Sequence, residues 1–375
     1  MPVLARIVVS AIFLFLAASL TPNARAAAAT VLVVVSGEGR EDGSRPGYEF
    51  DELSQAWLIF QDNGLTVEVA SPRGGPVIAD RHDPEAPYNA RLLADADAMR
   101  RLQATRAIGE LDAADYDAVY VVGGKGAMFD LPGDAALQAL LASVYERGGI
   151  VAAVCHGPAA LAEVRLRDGA LLVAGRSLTG FTNEEEALFG KRWTKEFPWL
   201  LEDAMRARGA HWQEVPLMMP GVVVDGRLIT GQNPYSTPAL AEAVVRATGR
   251  TPVARVPWRE ERAMAAVQRL LAGEGAAAAG EIAQSRDDIH VELIGMLGYY
   301  QLQAAEAPRE VSDAVAVMAL AAPYMDEPRL HLAIAEGWLR LGDRAQARAV
   351  AQPMLARWPD FAEAGQFLQR IDSAR

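Results

Sequence analysis

Between residues 28 and 250, short apolar runs rich in β-branched residues alternate with stretches whose apolar positions recur every three to four residues. TVLVVVS (30–36), LTVEVAS (65–71), AVYVVGG (118–124) and GIVAAV (149–154) read as buried strands, with a further strand around Ser177–Phe181. The intervening segments, FDELSQAWLIFQDNG (50–64), Gly133–Arg147 and a stretch from about Glu184, carry helical spacing, and Gly64 supplies a stop for the first of them. In VVVDGRLIT (222–230), Asp225-Gly226 marks a tight hairpin turn. Strands that alternate with helices need crossover connections. The pattern therefore predicts an α/β sandwich of flavodoxin-like type, a mostly parallel sheet covered on both faces, over residues 28–250.

The pattern changes after RTPVARVPW (250–258), whose two prolines read as a linker. From 258 to 375 there is no strand signal, and an Ala-rich sequence keeps helical spacing to the end. ELIGMLGYYQLQ…DAVAVMALAAPYMDEP and HLAIAEGWLRLGDRAQARAVAQPMLARWPDF both read as helix, turn, helix. WLRLGDRAQAR with the closing WPD resembles a tetratricopeptide repeat, which implies an all-α helical-repeat domain and a possible protein partner along the tail. Trp338, Leu341 and Trp358 are assigned to the packing between these helices.

Charge and termini narrow the classes. The formal charge is −12, which repels phosphate backbones and argues against nucleic acid as a partner. Residues 1–26 combine Arg6, the apolar stretch Ile7–Leu20 and an Ala24-Arg25-Ala26 cleavage pattern, the layout of a secretory signal peptide. The stretch is shorter than the roughly 18–20 residues needed to span a bilayer. The expectation is a cleaved leader, a periplasmic or secreted mature chain and no membrane anchor. That compartment favours disulfides, yet the chain has one cysteine, so Cys155 is a free thiol.

Cys155 stands at the end of a buried strand and directly before His156-Gly157-Pro158. Gly157 and the following alanines allow strand and helix to approach closely, and Pro158 suits a first helical turn. The sulfur is expected at the carboxyl edge of the sheet, facing the N–H groups of a helix N-terminus, which stabilise a thiolate and a developing oxyanion. This is the layout of a nucleophile elbow.

AAVCHGPAAL is similar to the elbow of the ThiJ/PfpI superfamily, the branch of class I glutamine-amidotransferase-like folds that includes heat-inducible chaperones and cofactor-independent glyoxalases. The likeness extends over roughly residues 30–248. GYEFDELSQAWLIFQDNGLTVEVASPRGG resembles the family's first helix and second strand, which implies that Glu52 reaches the cysteine. VGGKGAMFDLP resembles the turn whose backbone near Gly124 helps to form the oxyanion site; Lys125 stands where the family usually has histidine. SLTGFTNEEEALFG implies Glu186 as the acid that orients His156, with Glu185 as the alternative. Of the acidic residues Glu49, Asp51, Glu184 and Glu185, most are read as solvated helix faces. DGRLITGQNPYS implies that Asn233 and Pro234 close the pocket.

What the resemblance implies is a cofactor-independent enzyme in which Cys155 adds to a small aldehyde such as methylglyoxal, Glu52 shuttles a proton and His156 serves as acid and base. The alternatives are a cysteine amidase or peptidase, and a holdase chaperone or docking protein; relatives also suggest a homodimer. GGKGA lacks the Ser or Thr and the spacing of a phosphate loop, and GEG (37–39) lacks the last glycine of a dinucleotide fingerprint. No histidine pair has metal-ligand spacing, so neither a metal nor a cofactor is expected.

Overall fold

The computed structural model describes residues 29–373; the leader expected over 1–26 lies outside them. Among the described residues nine strands form: β1 (Thr30–Val34), β2 (Thr66–Ser71), β3 (Arg106–Ala107), β4 (Ala118–Val121), β5 (Ile150–Val154), β6 (Ser177–Leu178), β7 (His211–Trp212), β8 (Val222–Asp225) and β9 (Leu228–Gly231). Seven join one sheet in the order β3-β2-β1-β4-β5-β9-β8. All neighbours in it are parallel except β8 and β9, which form the hairpin turning at Asp225-Gly226. Strands β6 and β7 pair separately. The central strands are apolar on both faces because both are covered: Val31–Val35, Ala118–Val122 and Val151–Val154 are all inaccessible to solvent.

The helix Phe50–Asp62 lies on one face and buries Leu53, Trp57 and Phe60; Ala135–Glu146 buries Leu137, Leu141 and Val144. Register matters most at β4 and β5. Ala118 opposes Ile150 and Val121 opposes Ala153, so both strands stop at one edge and their next residues, Gly123 and Cys155, emerge together. Two helices, Pro87–Leu93 and Ala96–Gln103, and the short β3 go beyond the sequence reading. They are short, polar-faced and carried mostly by local caps such as Asp95, whose side chain accepts from Asp97 and Ala98.

From Arg259 onward the described residues are helical, in three antiparallel pairs: Arg259–Leu271 with Gly275–Ser285, Val291–Ala304 with Pro308–Ala321, and Pro328–Arg340 with Arg344–Ala351. A short helix, Met354–Arg357, and Ala362–Ser373 follow. The first pair is additional to the two read from sequence. The stretch before it is pinned to the sheet unit, so it does not behave as a free tether. Asn63 accepts from the Val253 N–H at 2.8 Å, and Arg255 pairs with Glu242 and Glu261. The two regions share apolar surface: Val215, Met218, Met219 and Tyr235 pack with Ala263, Met264, Val267 and Leu297. Among the described residues, no helix is long and apolar enough to cross a membrane.

Candidate active site

Strand β5 ends at Val154, and Cys155 turns out of it with φ 57°, in the left-handed region that non-glycine residues seldom occupy. Its backbone is clamped on both sides. The Cys155 N–H donates to the Gly231 carbonyl at 2.9 Å, and its own carbonyl accepts from Phe181 at 2.8 Å. The chain then enters a 3₁₀ turn, Gly157–Leu161. That corrects the sequence expectation of a helix N-terminus beneath the sulfur. Five residues of 3₁₀ geometry carry little dipole, and burial pushes the Cys155 thiol well up, with only the Gly124 N–H pulling it back.

Two side chains flank this sulfur, His156 and Glu52. Nδ1 of His156 lies 3.4 Å from Sγ, and Nε2 of the same ring is 2.8 Å from Oε2 of Glu186. A carboxylate can only accept, so Nε2 carries the proton and the lone pair of Nδ1 faces the thiol. The ring leans on Phe181 at 4.5 Å and Phe197 at 5.8 Å. On the other side Glu52 is wholly buried. Its Oε2 accepts from the Gly123 N–H at 2.7 Å, while Oε1 has no protein partner. Burial holds this carboxyl well above the usual range, and Glu49 reinforces the effect, so Glu52 keeps its proton beside the thiol.

Gly123 is required by close approach. A Cβ there would lie 2.7 Å from Glu52 Oε2 and 2.8 Å from Cys155 Cβ. The sequence reading singled out the neighbour, Gly124, and passed over Gly123, although both stand in the same VGGKG motif. Gly124 takes φ 89°. Burial raises both Glu49 and Asp80, and the charge of half-buried Lys125 offsets this only in part. Burial nevertheless pushes Glu49 up to about 8. Glu49 is therefore not on a solvated face.

The two candidates for orienting the histidine separate cleanly. Glu186 meets the imidazole, and Thr194 donates to its other oxygen at 3.2 Å. Glu185 is turned away and fully engaged: it accepts from the backbone of Thr182 and Met218 and from the side chains of Gln232 and Asn233. This also corrects the role expected for Asn233. Its amide is spent on Glu185 and on the Met219 carbonyl at 2.8 Å, so it braces the wall and does not border the sulfur. Pro234 lines a different cleft, with Tyr88, Tyr235 and Trp258. The sequence signal had located the segment correctly but not which of its side chains point toward the thiol.

The rim is aromatic and basic. Phe129 packs on Phe197 at 5.3 Å and Trp193 at 6.1 Å, and the Arg45 guanidinium lies 4.1 Å above the Phe129 ring. Trp193 and Phe197 belong to a segment with no sequence signature for the site. Cys155 and His156 are only 4% and 2% exposed, which restricts the centre to small molecules.

The model of the DJ-1/PfpI family matches residues 44–247. A protein of Schizosaccharomyces pombe named a probable glutathione-independent glyoxalase is 30% identical over 240 residues, covering 55% of this chain and 92% of the relative. The glutathione-independent glyoxalase of Saccharomyces cerevisiae is 34% identical over 213 residues, 53% of this chain and 88% of the relative. Among solved structures, glyoxalase III of Candida albicans superposes with a TM-score of 0.54 at 28% identity, covering 58% of this chain and 97% of its own. The family match lies within the sheet unit.

Proposed function

This chain belongs to the DJ-1/PfpI family, and from that premise we propose that it is a cofactor-independent glyoxalase of the glyoxalase III type, converting a small 2-oxoaldehyde to the corresponding 2-hydroxy acid. The observation that carries the reading is the position of the Cys155 sulfur, 3.4 Å from His156 Nδ1 on one side and beside the wholly buried Glu52 carboxyl on the other. Relatives named glutathione-independent glyoxalases at 30–34% identity support it.

The steps follow from where the protons sit. His156 Nδ1 takes the thiol proton as sulfur adds to the aldehyde carbon, and Glu52 gives its own proton to the aldehyde oxygen, leaving a hemithioacetal. Glu52, now a carboxylate in an apolar wall, is a strong base and removes hydrogen from the same carbon. The neighbouring carbonyl oxygen takes the proton held by His156, which gives an enediol. Glu52 then returns its proton to the second carbon, the first hydroxyl releases its proton to His156, and a thioester remains. His156 returns its proton to Glu52 through solvent and then activates water, which cleaves the thioester to the hydroxy acid and restores the thiol. Glu186 keeps the ring in one tautomer throughout.

The burial of sulfur and ring favours this over hydrolysis of a polypeptide, whose backbone would need an open cleft. We propose, from the sequence of residues 1–26, that the mature chain is periplasmic or secreted. The deciding experiment incubates the chain lacking those residues with methylglyoxal and measures lactate. Glu52→Gln is expected to lower kcat by about 10²–10⁴-fold and Cys155→Ala to abolish turnover. Full activity in either variant, or turnover of chromogenic amides without lactate formation, overturns the reading.

A further inference from the structure

The family match runs over residues 44–247, and the helical region from Arg259 onward lies beyond it. That region contacts the helix that carries Glu186. That helix, Asn183–Phe189, is held at both ends by the helical region. At its C-terminal end the Phe189 ring meets the edge of Tyr300 at 4.9 Å and 71°. At its first turn the hold runs through the strap Val215–Met219. Gln301 Nε2 donates to the Leu217 carbonyl at 3.1 Å, and the next N–H, that of Met218, donates to Glu185 Oε1 at 2.9 Å. Met219 is buried in the apolar core of the first two helix pairs, and its carbonyl accepts from Asn233, which also holds Glu185.

Met218 adopts φ 57°. A left-handed methionine is strained and persists only where its surroundings over-determine it. Here the surroundings are Gln301 before it, Glu185 across from it and the helical core after it. The strap is thus a stiff link with one side in the helical region and the other on the residue adjacent to Glu186.

We infer that Tyr300 and Gln301 are positioning residues for the Glu186–His156 pair, and that the helical region is an integral part of the catalytic unit. The tolerance explains why such a brace matters. A carboxylate about 6 Å from its helix axis moves about 1.5 Å when the helix rolls by about 15°, which is enough to break a hydrogen bond of normal length. Loss of the bond frees the imidazole to turn its lone pair away from the sulfur.

The inference deepens the proposed activity, so its test needs a readout that does not depend on turnover. Cys155 is the only cysteine, and its alkylation by iodoacetamide at neutral pH reports that single sulfur. Full-length Tyr300→Ala and Gln301→Ala are to be compared with wild type, Tyr300→Phe and Glu186→Gln, with folding checked by circular dichroism. Both alanine variants are expected to change the alkylation rate several-fold in the same direction as Glu186→Gln, whereas Tyr300→Phe stays at the wild-type rate. With methylglyoxal, kcat is expected to fall about 10-fold in the alanine variants with KM little changed. Wild-type alkylation in both alanine variants overturns the inference. The expected alkylation pattern in a protein that makes no lactate upholds the coupling and overturns only the assigned reaction. Tyr300 and Gln301 are half-buried at the surface of their helix; should Tyr300→Ala fail to fold, Gln301→Ala alone decides.

Discussion

At the scale of single residues the centre is governed by where charge is refused. Glu52 and Glu49 both sit where burial disfavours the anion, and Glu49 responds with a value near 8. The consequence for stability has a definite sign. In the unfolded chain Glu49 ionises near 4.5, whereas the folded protein holds the proton to about 8. The unfolded state therefore releases its proton first, and stability present at low pH is lost as pH rises across that window. Glu49→Gln is expected to flatten the fall in Tm between about 4.5 and about 8, as measured by thermal denaturation across the range. An unchanged slope would mean that other carboxyls set it. Three non-glycine residues take left-handed backbone angles among the described residues: Cys155, Lys191 and Met218. One is the thiol itself, and the others flank the helix of Glu186 on either side. No composition or periodicity marks such strain, so it could not be read in advance.

Secondary-structure elements carry the site by their ends more than by their lengths. The Glu186 helix has only 7 residues, yet Thr182 and Glu185 close it with a reciprocal capping box. Gly190 ends it, and a Cβ at that position would overlap both the Glu186 carboxylate and the Thr194 hydroxyl. Gly190→Ala is expected to push Glu186 off the imidazole and lower kcat by at least 10-fold while KM is retained, with activity recovered in no single second-site change at Thr194 that keeps the hydroxyl. Steady-state kinetics on the purified variant checks this. At this scale the sequence was most informative: β1, β2, β4, β5 and the β8–β9 hairpin stand where their apolar runs and turn residues put them, because each is either buried on two faces or ended by glycine. The elbow was legible for the same reason. Its electrostatics were not, since the length of the turn after Cys155 depends on how tightly Gly157 packs under Val121, a contact between distant segments. Asn233 and Pro234 illustrate the same limit. Motif resemblance located their loop, but which side chain turns inward is decided by Glu185, 48 residues away from Asn233.

On the scale of the molecule the two regions are joined by apolar packing as well as by chain. A chain ended at residue 250 would expose Val215, Met218, Met219 and Tyr235 together. Met219, buried to 3% exposure, alone gains about 1.5–3 kcal/mol from its cover. The shortened chain is therefore expected to bind a hydrophobic dye, self-associate on size-exclusion chromatography and melt at a lower temperature than the full chain. A monomeric, dye-silent product with unchanged Tm would show that this contact is dispensable. The change in sequence pattern at 250–258 marked where the helices take over, but it gave no hint that they return to grip the sheet unit, because Met218, Met219 and Tyr235 look like ordinary residues of an α/β loop.

The helical pairs meet in separate apolar clusters, each shared only with the neighbour: Ala263 to Ala321 near the sheet unit, Leu302 to Ile334 next, and Ala335 to Ile371 outermost. Such a stack opens from the pair farthest from the sheet unit inward, one pair after another. Amide exchange should then form a gradient that is fastest beyond Pro328 and slows toward Val291. Shortening from the carboxyl end would leave chemistry intact until it reaches the pair bearing Tyr300 and Gln301, where a gradual loss of length becomes an abrupt loss of rate.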